Sequence, residues 1–323
     1  MRKFTFIATV IALLANAMWV AESHAQWPQT TSHDSRFSIE IGAKAYDRPG
    51  DDLGLPLITD SLTNQTLFDS DQATDLGSAG GAEVKFNFES KRGTEFEVRT
   101  IIADWDQNTT IEGDELASPF FPIGGPNPTT VNYGYSADYF SIELMARRAV
   151  RPGLTLMAGP RYVSSKDMIS FAGTVLVDPQ DGTTPVLVTE TQTIEATNGL
   201  IGLQCGLEFN VPLTNAIYIN GFGRFGGYMN PTEVHLGSLN DFSGVTTNET
   251  SSKSTGSFLG EIGGRLYMDI VPNCVATYVG YEATWIDGIA LAPAQALTVG
   301  DTSVQTANTP FFNAATFGVK LTY

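Results

Sequence analysis

Past its first twenty residues the sequence has no uninterrupted apolar run near the roughly 18 residues that a membrane helix requires. Helical crossing of a bilayer is thereby excluded for the rest of the chain. Crossing by strands is not, because alternating strands leave a weak hydropathy signal. The mean hydropathy of -0.03 therefore does not argue against a membrane location. Positive charge is also scarce, with 18 Lys and Arg against 35 Asp and Glu, for a net charge of -17. Nucleic-acid affinity rests on cationic neutralisation of phosphates, so that class of partner is excluded.

Cysteine and histidine are equally sparse. Cys205 and Cys274 are the two cysteines. Export would permit their oxidation, but they fall on strands not expected side by side, and Cys205 is expected as a small apolar residue on an outward face. Beyond the leader the histidines are His33, before the first strand pattern, and His235, in a long polar connection near Glu233 and Asp241. General acid–base chemistry needs hydrogen-bonded geometry, and nothing in the spacing supplies it. The stretch DSDQATDLG opens as Asp69-x-Asp71, yet Ala73 and Thr74 stand where a calcium loop needs its next ligand and its glycine. No catalytic residue, cofactor or metal site is assigned, and no enzyme is predicted.

What is present begins with a leader. Arg2 and Lys3, an apolar stretch from Phe4 to Val20, and Ser23-His24-Ala25 make an export signal expected to be cleaved, covering residues 1–25. A short linker at 26–34 and a single domain at 35–323 follow. Within that domain about ten segments alternate apolar and polar residues with period two, the mark of strands with one greasy and one wet face. In EFEVRTII, Phe96, Val98 and Ile102 oppose Glu95, Glu97 and Arg99. In LIGLQCGLEF, Ile201, Leu203, Leu207 and Phe209 oppose Gln204 and Glu208. FGVKLTY repeats the pattern, with Phe317, Val319 and Leu321 on the face expected to meet lipid.

The connections alternate short and long. Ser90–Gly93, Arg151–Gly153, Val211–Thr214 and Val271–Asn273 are tight corners built on Pro and Gly. The long ones cover 47–80, 106–133, 164–197, 230–255 and 287–310, each rich in Asp, Asn, Thr, Ser, Gly and Pro. A soluble sandwich gives no reason for five long loops at every second connection. A transmembrane up-and-down antiparallel β-barrel does, with short periplasmic turns and long extracellular loops. With no water in the hydrocarbon, only a closed sheet satisfies every backbone group of a spanning strand. The fold class is accordingly all-β, a barrel of about ten strands, with eight or twelve as alternatives. Its expected place is the bacterial outer membrane. Its expected partners are outer-membrane lipid, lipopolysaccharide and the barrel-assembly machinery. Aromatic belts are expected at the loop side from Trp105, Tyr133, Tyr135, Trp285, Phe311 and Phe312, and at the turn side from Phe88, Phe209, Tyr267 and Tyr323.

Ser141, Glu143, Arg147, Arg148, Pro152, Gly159, Arg161 and Tyr162 form a strand–turn–strand pattern within residues 136–173. With GLIGLQCGLEF and INGFGRFGGYMN after it, this stretch resembles the β-barrel porin family of planctomycete-type bacteria. The resemblance implies an outer-membrane barrel with a pore function. Pro160, directly before Arg161, departs from the family's pattern and bears on how that strand pairs.

Inward parity collects charges of both signs. The expected lumen-lining residues are Glu83, Lys85, Glu95, Glu97, Arg99, Glu143, Arg147, Arg161, Glu208, Arg224, Glu261, Arg265, Glu282 and Lys320, with Glu40 and Lys44 of the same parity. Ten strands enclose a narrow interior, in which acids and bases are expected to pair across neighbouring strands. A gap in that ladder would make a narrow porin for small solutes or ions. A fully paired ladder would make a non-conducting structural or surface-interaction barrel that acts through its acidic extracellular loops. The favoured expectation is the narrow porin, with the non-conducting barrel as the alternative.

Overall fold

The computed structural model describes residues 37–49, 56–75, 77–89, 94–113, 116–117, 130–177, 186–240, 245–295 and 304–323. The leader, the linker with His33, Asp241 and the Ser90–Gly93 turn lie outside these.

Ten antiparallel strands close into a barrel. They are β1 (Phe37–Arg48), β4 (Gly77–Glu89), β5 (Thr94–Glu112), β7 (Thr130–Arg151), β8 (Leu154–Val177), β9 (Val186–Pro212), β10 (Ile217–Asn240), β11 (Val245–Val271), β12 (Val275–Asp287) and β13 (Phe311–Thr322). Each strand pairs with its sequence neighbour around the wall, and β1 closes the ring by pairing with both β4 and β13. A small sheet of β2 (Pro56–Asp60), β3 (Thr66–Asp69) and β6 (Leu116–Ala117) lies outside the ring order.

Side-chain polarity is inverted relative to a soluble protein. Phe209, Leu207, Leu203 and Ile201 are exposed on the outer face of β9, while Glu208 and Gln204 are buried inside. The same holds on β11, with Ile262, Leu266 and Met268 outside and Glu261 and Arg265 inside. Exposed apolar surface on this scale is stable only against hydrocarbon. The barrel is a membrane barrel.

The wall is lopsided. β12, β13, β1 and β4 have 13, 12, 12 and 13 residues, close to the roughly 9–11 that span a bilayer. β8 to β11 have 24 to 27, and at about 3.3 Å per residue β9 runs for roughly 90 Å. Much of the expected loops at 106–133, 164–197 and 230–255 is therefore hairpin arm. Their Ser, Thr and Asn content suggested loops, but Thr is a good strand former, and polar residues suit an outer face that has left the lipid.

In those arms the polarity switches back. On β9 the outward residues above Ile201 are polar, among them Thr197, Glu195 and Thr193, whereas Leu200, Ala196 and Ile194 are buried inside. Leu200 and Ile201, adjacent in sequence, mark the change of sides. Val163, Ile169 and Phe171 of β8 and Val234 of β10 join the inner set.

Pro160 removes one ladder donor in mid-strand. Registration is nevertheless kept, with Glu143 opposite Arg161 on one side and Ala146 opposite Ala158 on the other. Gly159 makes this possible, since a Cβ there would lie 1.9 Å from the Leu144 carbonyl oxygen. Backbone cannot yield as a side chain can. Gly159→Ala is expected to lower barrel stability by about 1–3 kcal/mol, measured as a shift in the urea midpoint, while Gly223→Ala, which faces open space, should be near neutral.

The two cysteines are free and exposed. Cys205 is on the outward face of β9 and Cys274 in the β11–β12 turn, with β10 between their strands. The aromatic expectation needs correction. Trp105, Tyr133, Tyr135 and Phe312 point inward and are buried, as is Tyr267 at the other end. Their parity is that of the interior, so they pack a core and do not line an interface. Phe311, Phe88, Phe209 and Tyr323 are the members that face outward and exposed. Leu321 is only 3% exposed, between its register partners Ile39 and Val275.

Candidate functional site

The barrel interior has two layers, a charged one at bilayer level and an apolar one above it. In the charged layer Glu83, Lys85, Glu97, Arg99, Glu143, Arg147, Arg161, Glu208, Arg224, Glu261, Arg265 and Glu282 are all buried, together with Glu40 and Lys44. Glu95 and Lys320 stand nearer the periplasmic opening, with side chains 32% and 28% exposed. Alternation on ten strands places all these side chains on one surface, and the narrow bore forces them together.

Arg99 of β5 is the hub. Its guanidinium lies 2.5 Å from Glu261, 3.1 Å from Glu83, 3.1 Å from Glu282 and 3.5 Å from Glu143. β5 and β11 are five positions apart in a ring of ten, so the Arg99–Glu261 pair spans the full bore. Arg161 meets Glu261 at 2.6 Å from β8, and Arg224 joins Glu143 at 2.6 Å to Glu97 at 2.9 Å. Toward the periplasm Arg147 holds Glu97, Glu208 and Glu95, and Lys85 holds Glu40 at 2.9 Å. Arg265 links Glu40 to Glu83, and Lys44 pairs with Glu83 and Glu282. Pairing across neighbouring strands was expected; pairs also reach across the lumen, because long Arg side chains from one wall meet Glu on the other.

Sequence reasoning missed Phe222 on inward β10. The guanidinium carbons of Arg224, Arg265 and Arg99 lie 5.0, 5.7 and 6.0 Å from its ring centre, a cation–π arrangement that holds three like charges about one aromatic side chain. The available signal was an aromatic on the parity of Asn220 and Arg224. Eight acids and eight bases populate this layer, the sixteen inward Glu, Lys and Arg already named. The lumen is therefore charge-balanced, and the chain's net charge of -17 lies elsewhere.

Above this layer the bore is filled by carbon. Leu57, Ile58 and Phe68 from the β1–β4 connection, and Ile289, Ala290, Leu291 and Ala292 from the β12–β13 connection, pack on Tyr133, Phe171, Ile194 and Leu200 of the tall arms. Tyr133 donates from its hydroxyl to the Ala73 carbonyl at 2.8 Å, and its ring lies 4.8 Å from that of Phe68. Asn198 donates to the Ala290 carbonyl at 2.7 Å and accepts from the Ala290 amide at 2.9 Å, pinning the second connection to β9. Asp167 accepts from Arg48 at 3.1 Å and from the Tyr135 hydroxyl at 3.0 Å within this core. At the boundary of the two layers, Tyr46, Ile101, Trp105, Tyr139, Glu282, Thr284 and Phe312 enclose a cavity of about 10 Å³, room for one water at most.

The two other features weighed in the sequence have plain surroundings. His235 is on the outer face of β10, its Nδ1 2.9 Å from the Thr250 hydroxyl and its Nε2 3.3 Å from Glu233. Asp69 caps the helix Ser70–Thr74, its Oδ1 accepting from the Gln72 amide at 2.9 Å while the Gln72 side chain accepts from the Asp69 amide at 3.1 Å.

No family model and no curated protein matches the chain. Among solved structures it is similar to the outer membrane protease OmpT from Escherichia coli, at 9% identity, covering 92% of this chain and 99% of that one, with a TM-score of 0.42. It is also similar to the translocator domain of the autotransporter NalP from Neisseria meningitidis, at 10% identity over 98% and 97% of the two chains, with a TM-score of 0.43. A major outer membrane protein from Thermus thermophilus matches at 15% identity over 90% and 100%, with a TM-score of 0.33.

Proposed function

We propose that this chain is a bacterial outer-membrane barrel whose bilayer section is a sealed pedestal and whose capped extracellular arms are the working part, a non-conducting surface-interaction protein. The observation that carries this is the Arg99–Glu261 pair across the full bore, embedded in buried acids and bases, with a cavity of only about 10 Å³ at their boundary with the cap. Ions need a wetted path, and opening one here means separating several buried pairs at once. Such separation leaves uncompensated buried charge, at about 3–5 kcal/mol for each broken pair. A narrow porin, the role implied by the resemblance to planctomycete-type porins, would require that cost to be met by a gating partner or a potential.

Glu143, Arg147 and Arg161 of the motif behind that resemblance belong to the lumen network. The proposed surroundings are outer-membrane lipid along the apolar belt and lipopolysaccharide against the polar arms, with the barrel-assembly machinery as the folding partner. No catalysis is assigned. The test is conductance of the purified protein in planar bilayers: the wild type is expected to give no channel events across a range of voltages, and steady unitary currents would replace the sealed pedestal with a pore.

A further inference from the structure

Above the bilayer the ring order is interrupted on one side among the described residues. The topmost register pair between β11 and β12 is Phe258 with Asp287. β11 continues beyond it in uninterrupted register with β10 alone, as far as Val245 opposite Asn240. Among the described residues, no backbone group pairs with the other edge of β11 from Thr246 to Gly256. Thr246, Asn248, Thr250, Ser252 and Ser254 are exposed along it.

We propose that this edge receives an extended, polar and basic segment of another protein at the cell surface, which adds to the sheet as a further strand. The inference deepens the proposed function and rests on the arms being extracellular. An unpaired edge offers a row of backbone donors and acceptors, and the ligand that matches such a row is an extended polypeptide. Native edges are usually protected by proline, bulges, short length or an inward-pointing cation. Here residues 246–256 contain no proline and their pairing with β10 shows no register shift; the one edge-protecting cation is Lys253, held by the Val304 carbonyl at 3.1 Å and the Thr306 hydroxyl at 3.4 Å. The exposed side chains at Thr246, Asn248, Thr250, Ser252 and Ser254 are small and polar, so affinity would come from the main chain. Glu249 is exposed on the edge strand and Asp287 of β12 is exposed opposite Phe258 at its lower end, which favours a basic partner.

A second copy does not fit. Two copies in one membrane run β11 in the same direction, and a two-fold axis along the membrane normal would set like edges face to face in parallel. Parallel pairing joins residue i to j-1 and j+1, so two edges of the same residue parity need a one-residue slip that breaks the symmetry.

The test is hydrogen exchange on the full chain in lipid nanodiscs, alone and with a decapeptide of alternating lysine and threonine as probe. Alone, alternate amides between Thr246 and Gly256 are expected to exchange about 100-fold faster than their neighbours bonded to β10. The lysine–threonine peptide should slow the fast set about tenfold, and a glutamate–threonine peptide should not. Protection before any peptide is added would overturn the proposal, assigning the edge to the chain's own segments, or to a second copy if protection grows with protein concentration. Continued fast exchange at saturating lysine–threonine peptide would overturn it too, and equal protection by both peptides would overturn the basic preference. Conductance judges the sealed pedestal separately, so either idea can fail alone.

Discussion

Arg99→Met is expected to lower barrel stability by about 3–5 kcal/mol, the range for removing one partner of a buried ion pair. The variant keeps side-chain length but withdraws the cation shared by Glu83, Glu261, Glu282 and Glu143. Those carboxylates are then buried with too little positive charge, and the seven remaining bases face eight acids. The shift is read from urea unfolding followed by the mobility difference between folded and unfolded barrel on gels. Adding Glu261→Gln to Arg99→Met should recover part of the loss, since the pair is removed together and the imbalance disappears. Contacting residues couple by about 0.5–3 kcal/mol in such cycles. A single variant within about 0.5 kcal/mol of wild type would mean that the layer is hydrated and the charges are screened.

Phe171→Ala is expected to produce a comparable loss confined to the upper layer. Phe171 is fully buried, with its ring 5.1 Å from that of Tyr133, and truncating such a side chain typically costs about 3–5 kcal/mol. Because the cap and the bilayer section are packed as separate layers, the damage should appear as local opening. Limited proteolysis of the protein in detergent is expected to cut the arms of β8–β9 and β10–β11 while the lower barrel stays intact. Phe225→Ala, on the outward face at bilayer level and 51% exposed, should leave the arms resistant. Global unfolding in step with arm cleavage would show that the two layers form one cooperative unit.

Much of the fold was legible because membrane strands obey a strict rule of sides. Phe96, Val98 and Ile102 against Glu97 and Arg99 fix one strand without any knowledge of its neighbours, and the alternation of Pro-bearing corners with long connections fixes the up-and-down order. The inward charges were legible for the same reason. Their partners were not: Arg99 and Glu261 are 162 residues apart, and parity alone does not say which wall a long side chain reaches. The cap escaped notice because its inner face obeys the opposite rule. Leu200 followed by Ile201 breaks the alternation once, which sequence inspection absorbs as noise, and the Thr-rich arms resemble loops in composition. Trp105 and Tyr133 went to an interface for want of that second core.

The lid on the bore has a bearing on how the molecule is made. Its pieces come from the first and last large connections of the chain, so it can be completed only when both ends of the polypeptide are in place. Once the arginines and glutamates lock, nothing as wide as a hairpin can be threaded between them. Every hydrophilic arm is therefore expected to reach the far side of the membrane while the seam between β1 and β13 is still open, with the closing of that seam as the final step.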